Sequence, residues 1–297
     1  MPAFLFPGQG SQKAGTATQF YAASPEARSI FDRIVPLLPK DVASVLFDGS
    51  QEDTNATRNA QPILLCVETA IAAHLASLGV KPDLCAGHSL GEIAALTVAG
   101  AIEIEEAIPF ILERARLMSE DVPEGGMAAV IGMMSEQIEA FLCEGTQIAN
   151  YNGPSQTIIS GSVKSLEASM TAIKAQGGCR VLPLQVSGPF HSQYMKPAAI
   201  ALEKYLVSMP ISKPETPVLS SVSGAYEDDP GRIRALLAQQ LYSPVRWTNV
   251  MEQLDKHNAI EVGPGNALAG LAKRATNAPV VFPANTPEAC ERLLETL

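Results

Sequence analysis

Residues 81–100 read KPDLCAGHSLGEIAALTVAG, and the way this stretch folds decides the architecture. Residues 83–86 read as a short buried strand, and the segment beyond Gly91 has the apolar spacing of a helix. Between them Gly-His-Ser-Leu-Gly matches Gly-x-Ser-x-Gly, the sharp strand-to-helix turn that exposes a serine oxygen above a sheet. Gly87 and Gly91 permit that strained turn and a close backbone approach. The helix that follows aims its N-terminal N–H groups at any anion formed there. A plainer reading competes: Ser89 and Glu92 have the spacing of a capping box, each satisfying the other's main-chain N–H. Glu92 does not separate the two, because one serine can start a helix and also attack a substrate.

Upstream, AFLFPGQGSQ at 3–12 reads as a strand entering a tight loop. Residues 61–79 form a predicted helix, with Pro62 suited to its first turn and Gly79 to its C-terminal stop. Downstream, another helix is expected over 103–119. From 126 to 187 the order is strand (GMAAVIGM), helix (SEQIEAFLCE), two strands (TQIANYN and QTIISGS), helix (VKSLEASMTAIKAQGG) and strand (RVLPLQVS). That β-α-β-β-α-β order is the ferredoxin-like unit, set in a chain whose flanks alternate strand and helix like a parallel sheet. The expectation is a large α/β domain, 1–123 and 188–297, interrupted by a small α+β insertion at 124–187. SSVSGAYEDDPGR at 220–232 reads as a loop.

With 297 residues, 46% apolar and 18% charged, the chain has the make-up of a soluble globular protein with a substantial core. No apolar run approaches the ~20 residues that cross a bilayer. MPAFLFPGQGSQ lacks a basic start, so no signal peptide is expected and the cytoplasm is the expected compartment. Cys66, Cys85, Cys143, Cys179 and Cys290 are scattered, without a C-x-x-C pair, which argues against a zinc cluster or disulfide framework. A net charge of −10 disfavours nucleic acid. It leaves room for a local basic patch, for which KPDLC (81–85), Arg180 and AKRAT (272–276) are candidates.

A serine nucleophile needs a base, and there are four histidines. His74 falls inside the 61–79 helix and reads as structural. His257, in DKHNA, reads as a solvated helix end. His88 adjoins Ser89, and neighbours on a tight turn usually point different ways. His191, in SGPFHSQYM, follows the last strand of the insertion and precedes a new helix, a loop placement that suits a catalytic base. By itself it reads more readily as a capping or hydrogen-bonded surface histidine.

FPGQGSQ (6–12), GHSLGE (87–92), GPFHS (188–192) and EVGPG (261–265) together resemble the malonyl-CoA:acyl-carrier-protein transacylases and the acyltransferases, including free-standing ones, of polyketide synthases. The resemblance spans nearly the whole chain, with the blocks in the family's order. It implies an α/β-hydrolase-like large domain with an inserted ferredoxin-like subdomain, in agreement with the order of elements read above. It implies that Ser89 carries the acyl group and that His191 is its base, oriented by a main-chain carbonyl near Gln240, in a dyad without an acid partner. The oxyanion donors it implies are the main-chain N–H groups of Gln9 and Leu90.

Arg114 matches the arginine that pairs with the substrate's free carboxylate, with Arg116 as the alternative; a planar guanidinium can hold a carboxylate through two parallel bonds. Phe190 implies malonyl selectivity, because its ring fills the space of an α-methyl group. Asn150 and Asn152 match a loop facing the site, and with Arg114, Phe190 and Gln240 they make up the implied substrate-binding set. Thr16 stands where the family commonly has methionine. The implied reaction is ping-pong transfer from malonyl-CoA to an acyl carrier protein, for fatty acid or polyketide synthesis, by a monomer with no metal or other cofactor and no membrane or nucleic-acid partner. A malonate decarboxylase carrier, a hydrolase or thioesterase on the same turn, and a non-catalytic carrier-binding protein are the alternatives.

Overall fold

A computed structural model describes residues 1–120, 122–254, 258–275 and 278–296. Its strands are β1 (Ala3–Phe6), β2 (Leu84–Gly87), β3 (Gly126–Ile131), β4 (Thr146–Gly153), β5 (Gln156–Gly161), β6 (Arg180–Pro183), β7 (Val218–Leu219), β8 (Ala259–Glu261) and β9 (Val281–Pro283). Five of them form a parallel sheet in the order β7-β2-β1-β8-β9. The AFLF of β1 is buried at every position, as expected for a central parallel strand covered on both faces. Phe4, Phe6 and Cys85 pack into one apolar cluster and Ala3, Leu5, Leu84 and Ala86 into another, the two faces following the period of two. The register sets Phe6 opposite Gly87. The loops after β1 and β2 therefore leave the sheet side by side at the strands' carboxyl ends, where open α/β sheets bind ligands.

The other four strands form an antiparallel sheet in the order β4-β5-β3-β6. With the helices Ser135–Glu139 and Val163–Lys174 they give the β-α-β-β-α-β order read from the sequence. Ala128, Val130, Ile148 and Ile159 face this unit's own helices, while Met127, Ala129, Ala149 and Ile158 join the large apolar cluster of the parallel sheet. The fold class expected from the sequence is the one observed.

Several elements differ in extent. The helix expected at 61–79 runs from Thr57 to Ser77, so Pro62 lies inside it rather than in its first turn. Only one helical hydrogen bond is lost there, since proline has no N–H to offer the carbonyl four residues back. This is the one helix among the described residues long and apolar enough to cross a membrane, and 83% of its apolar window is buried in the core. The helix expected at 135–144 stops at Glu139, and the Cys143 N–H bonds the Ser169 hydroxyl instead of a helical carbonyl. The strand expected at 180–187 stops at Pro183, after which Leu184 and Val186 turn toward a cavity between the two sheets. The loop expected at 220–232 ends early. Pro230 begins the helix Pro230–Gln239, capped by Asp229, whose carboxylate accepts the Arg232 N–H at 2.7 Å.

Candidate active site

The turn after β2 is possible because two residues lack side chains. A Cβ on Gly87 would lie 2.0 Å from the Gly91 carbonyl carbon, and one on Gly91 would lie 2.1 Å from the Phe6 carbonyl oxygen. Chain, helix and neighbouring strand meet there at a distance only glycine allows. The turn places Ser89 at φ 52°, and His191 sits at φ 56°; these are the two non-glycine residues with positive φ among those described. Such conformations persist where surrounding structure over-determines them, and they gather at active sites. For His191 the constraint is visible. Its N–H donates to the Leu241 carbonyl at 3.0 Å, and its own carbonyl accepts from the Gln147 amide at 3.3 Å.

Ser89 Oγ lies 2.9 Å from His191 Nε2. His191 Nδ1 faces two main-chain carbonyls, Gln240 at 2.8 Å and Ser243 at 3.2 Å. Carbonyls only accept, so Nδ1 carries the hydrogen and Nε2 is the lone pair that receives the serine O–H. Burial lowers the His191 pKa to about 3, with the charges of Arg114 and His88 acting in the same direction. The imidazole is held neutral, with its tautomer fixed by backbone.

The capping-box reading of Ser89 does not hold. The helix Gly91–Val98 has no side-chain cap, and the serine hydroxyl instead faces His191 and, at 3.3 Å, Arg114 Nη2. Glu92 turns inward: its Oε2 accepts from the Ser221 N–H at 3.1 Å, the Ser221 hydroxyl at 2.6 Å and the Gln240 amide at 2.9 Å.

Arg114 comes from the helix Ile104–Leu117 and is 1% exposed. Its guanidinium donates to the side-chain oxygens of Gln61, at 2.5 Å, and Gln240, at 2.9 Å, as well as approaching Ser89. Burial lowers its pKa to about 10, opposed by the charge of Glu92, so it stays cationic at neutral pH. Arg116, the alternative, lies on the outer face and pairs with Glu113 and Glu120.

A cavity of about 210 Å³ opens over Ser89 and is lined by Arg114, His191, Gln9, Leu90, Phe190, Asn150 and Asn152. Among the described hydrogen bonds, the main-chain N–H groups of Gln9 and Leu90 donate to no protein acceptor. The Gln9 side chain is drawn aside by Thr57 at 3.1 Å. Gln240, expected among the substrate-binding residues, is not on the cavity wall. It lies behind it, 1% exposed, joining Arg114, Glu92 and the Ser89 carbonyl. Met118, Met127, Ile158, Leu184 and Val186 supply an apolar wall that motif reading did not single out.

His88 shares no hydrogen-bond partner with the Ser89 hydroxyl, yet its ring edges the same cavity, with Nε2 2.9 Å from Asn152 Oδ1 and 3.4 Å from Asn150 Nδ2. It packs 5.4 Å from the Trp247 ring. His74 is buried edge-on against Phe20, a structural placement as expected. His257 lies outside the described residues, as does Thr276 of the 272–276 segment. Thr16 opens the helix Thr16–Ala23, its hydroxyl bonding the Lys13 carbonyl at 3.0 Å. A groove of about 430 Å³ shares Gln9, His88 and Asn152 with the cavity and has Arg274 on its rim, whereas Lys81 borders a separate cleft with Phe4 and Thr97. Among the described residues no group of three or more His, Cys, Asp or Glu side chains is arranged to hold a metal.

Residues 3–281 match the acyl transferase domain family. The chain is 39% identical to the malonyl CoA-acyl carrier protein transacylase of Bacillus subtilis (strain 168), over 99% of this chain and 96% of that protein. It is 37% identical to the protein of the same description from Escherichia coli (strain K12), over 99% and 98%. The solved structure of the Coxiella burnetii malonyl CoA-acyl carrier protein transacylase superposes with a TM-score of 0.94 at 34% identity, covering 100% of this chain and 98% of that one. A malonyl-transacylase solved in complex with its type II polyketide synthase acyl-carrier protein superposes equally well, with a TM-score of 0.94 at 36% identity and 99% of each chain covered.

Proposed function

The chain belongs to the acyl transferase domain family, and from that premise we propose that it moves the malonyl group of malonyl-CoA onto the phosphopantetheine thiol of an acyl carrier protein, for fatty acid or polyketide synthesis. The observation that carries the mechanism is the Ser89 hydroxyl 2.9 Å from a neutral His191, with Arg114 3.3 Å away in the same cavity. His191 Nε2 takes the serine proton as Oγ attacks the thioester carbonyl. The tetrahedral oxyanion rests on the N–H groups of Gln9 and Leu90, each such donor being worth ~3 kcal/mol in the transition state. The C–S bond breaks, the CoA sulfur leaves with the proton from His191, and malonyl-serine remains.

In the second half His191 takes the proton of the carrier's thiol, and the sulfur attacks the ester carbonyl. The serine oxygen leaves and recovers its hydrogen from His191. Arg114 holds the free carboxylate through both halves. Phe190 disfavours an α-methyl group, a discrimination of ~1–3 kcal/mol. Nothing is oxidised or reduced, so the chemistry calls for no redox cofactor. The acyl carrier protein is the macromolecular partner. We also read residues 124–187 as the inserted unit, the active form as a monomer and the cytoplasm as its compartment.

Intact-mass analysis tests this. Malonyl-CoA leaves a malonyl adduct on the protein, and Ser89→Ala abolishes it. An adduct surviving in Ser89→Ala refutes the nucleophile. Release of the adduct by water at the rate seen with carrier makes the protein a hydrolase.

A further inference from the structure

Behind the cavity lies a buried polar cluster with one member that the reaction above leaves idle. Glu92 is 3% exposed and touches neither the cavity nor the Ser89 hydroxyl. Through Oε2 it accepts from the Ser221 N–H, the Ser221 hydroxyl and Gln240 Nε2. The same Nε2 donates to the Ser89 carbonyl at 3.1 Å, while Oε1, at the other end of that amide, accepts from Arg114 Nη2 at 2.9 Å.

A primary amide is nearly symmetric in shape but not in chemistry, since one end only donates and the other only accepts. Arg114 has donors alone. Were the Gln240 amide turned over, its NH2 would oppose the guanidinium, donor against donor, between two side chains that are each 1% exposed. Two acceptors converging on Nε2, the Glu92 carboxylate and the Ser89 carbonyl, rule that orientation out. Oε1 then anchors Nη2, the guanidinium nitrogen that approaches Ser89 Oγ at 3.3 Å.

We propose that Glu92 is a positioning residue for acyl selection: by fixing which end of the Gln240 amide meets Arg114, it aims the guanidinium at the free carboxylate of a dicarboxylic acyl group. The inference rests on the reading of Arg114 given above. The atom of Gln240 that orients His191 is its main-chain carbonyl, at 2.8 Å, and not its amide. Glu92 therefore governs which acyl group is chosen far more than how readily Ser89 reacts.

The test compares malonyl-CoA with acetyl-CoA as acyl donors and, separately, the rate at which an alkyl phosphonofluoridate labels Ser89. Glu92→Leu removes the acceptor, and the malonyl-over-acetyl preference falls about tenfold or more while labelling stays within about threefold. Glu92→Gln keeps an oxygen that can stand in for Oε2 and retains most of the preference. In an Arg114→Ala background Glu92→Leu has no further effect, because the residue it works through is gone. If Glu92→Leu does not fold, Gln240→Met, which deletes the amide that Glu92 holds, decides on the malonyl-over-acetyl preference alone, with the same expected loss in that ratio.

A preference kept within about twofold, parallel losses in transfer and labelling, or an additive effect on top of Arg114→Ala overturns the inference. Should Arg114→Ala alone leave the preference intact, the carboxylate reading of Arg114 fails and the role of Glu92 fails with it. The two failures are thus told apart by which variant is silent.

Discussion

A serine hydroxyl attacks near neutrality only if a neutral base holds its hydrogen, and burial is what keeps His191 neutral. Its pKa of about 3 lies below the ordinary 6.5, so the base form persists well into acid. The pH profile of kcat/KM should accordingly show no fall assignable to His191 between roughly pH 5 and 8; an inflection near 6.5 that vanishes in a His191 variant would contradict the burial argument. The same shift bears on stability. Below 6.5 the unfolded chain binds a proton that the folded chain refuses until about pH 3, so stability contributed above 6.5 is lost as pH falls through that window. Replacing His191 by Gln should narrow the difference between urea midpoints measured at about pH 7 and pH 5.

For Arg114→Ala the expected loss with malonyl-CoA is about 10²-fold or more, the size of truncating a buried charge pair. The loss with acetyl-CoA should be smaller, and Arg114→Lys should restore little, since lysine cannot make the parallel pair of bonds. At this scale the motifs made Ser89, His191 and Arg114 legible in the sequence. Gln61 and Ser221 carried no local signal, and Glu92 only the misleading spacing of a cap, because their partners lie far along the chain.

Among the elements, the strand–turn–helix around Ser89 was readable because its constraint is local. Two glycines at fixed offsets permit one geometry, and that geometry requires both. Gly91→Ala sets a Cβ 2.1 Å from the Phe6 carbonyl oxygen, where backbone on both sides has no room to yield. A loss of about 3 kcal/mol or more, or failure to fold, is expected in urea unfolding; a variant as stable as the parent would mean that β1 and the helix are not packed this closely. Ends of elements were less legible. Pro62 signalled a helix start by its usual preference, yet the helix begins at Thr57 because burial of Thr57, Ala60 and Gln61 outweighs the one bond proline forfeits. Ser89 and Glu92 had the spacing of a cap, and tertiary partners claimed both side chains.

Across the whole molecule the two sheets behave as parts of one core. Met127, Ala129, Ala149 and Ile158 of the antiparallel sheet share an apolar cluster with Phe4 and Phe6 of the parallel one. Main-chain bonds of 2.8 Å from Tyr151 to Val245 and from Val245 to Ala149 fasten β4 to the segment before Trp247. Trp247 is the chain's single tryptophan, fully buried beside His88. Its emission and the far-UV circular dichroism should therefore report one coincident urea transition. Separate midpoints would show the antiparallel unit opening on its own.

The sequence by itself determined the order of strands and helices, the sharp turn that lifts Ser89 and the family, because periodicity, glycine spacing and ordered motifs are properties of neighbouring residues. Only the tertiary structure decided which main-chain carbonyls hold the His191 tautomer, which side chains bond the Arg114 guanidinium, and that Glu92 and Gln240 stand behind the cavity rather than capping a helix or lining it. Those outcomes depend on main-chain carbonyls and buried side chains brought together from remote segments. Burial fixes both their hydrogen-bond partners and their charge, and no local pattern encodes burial of that kind.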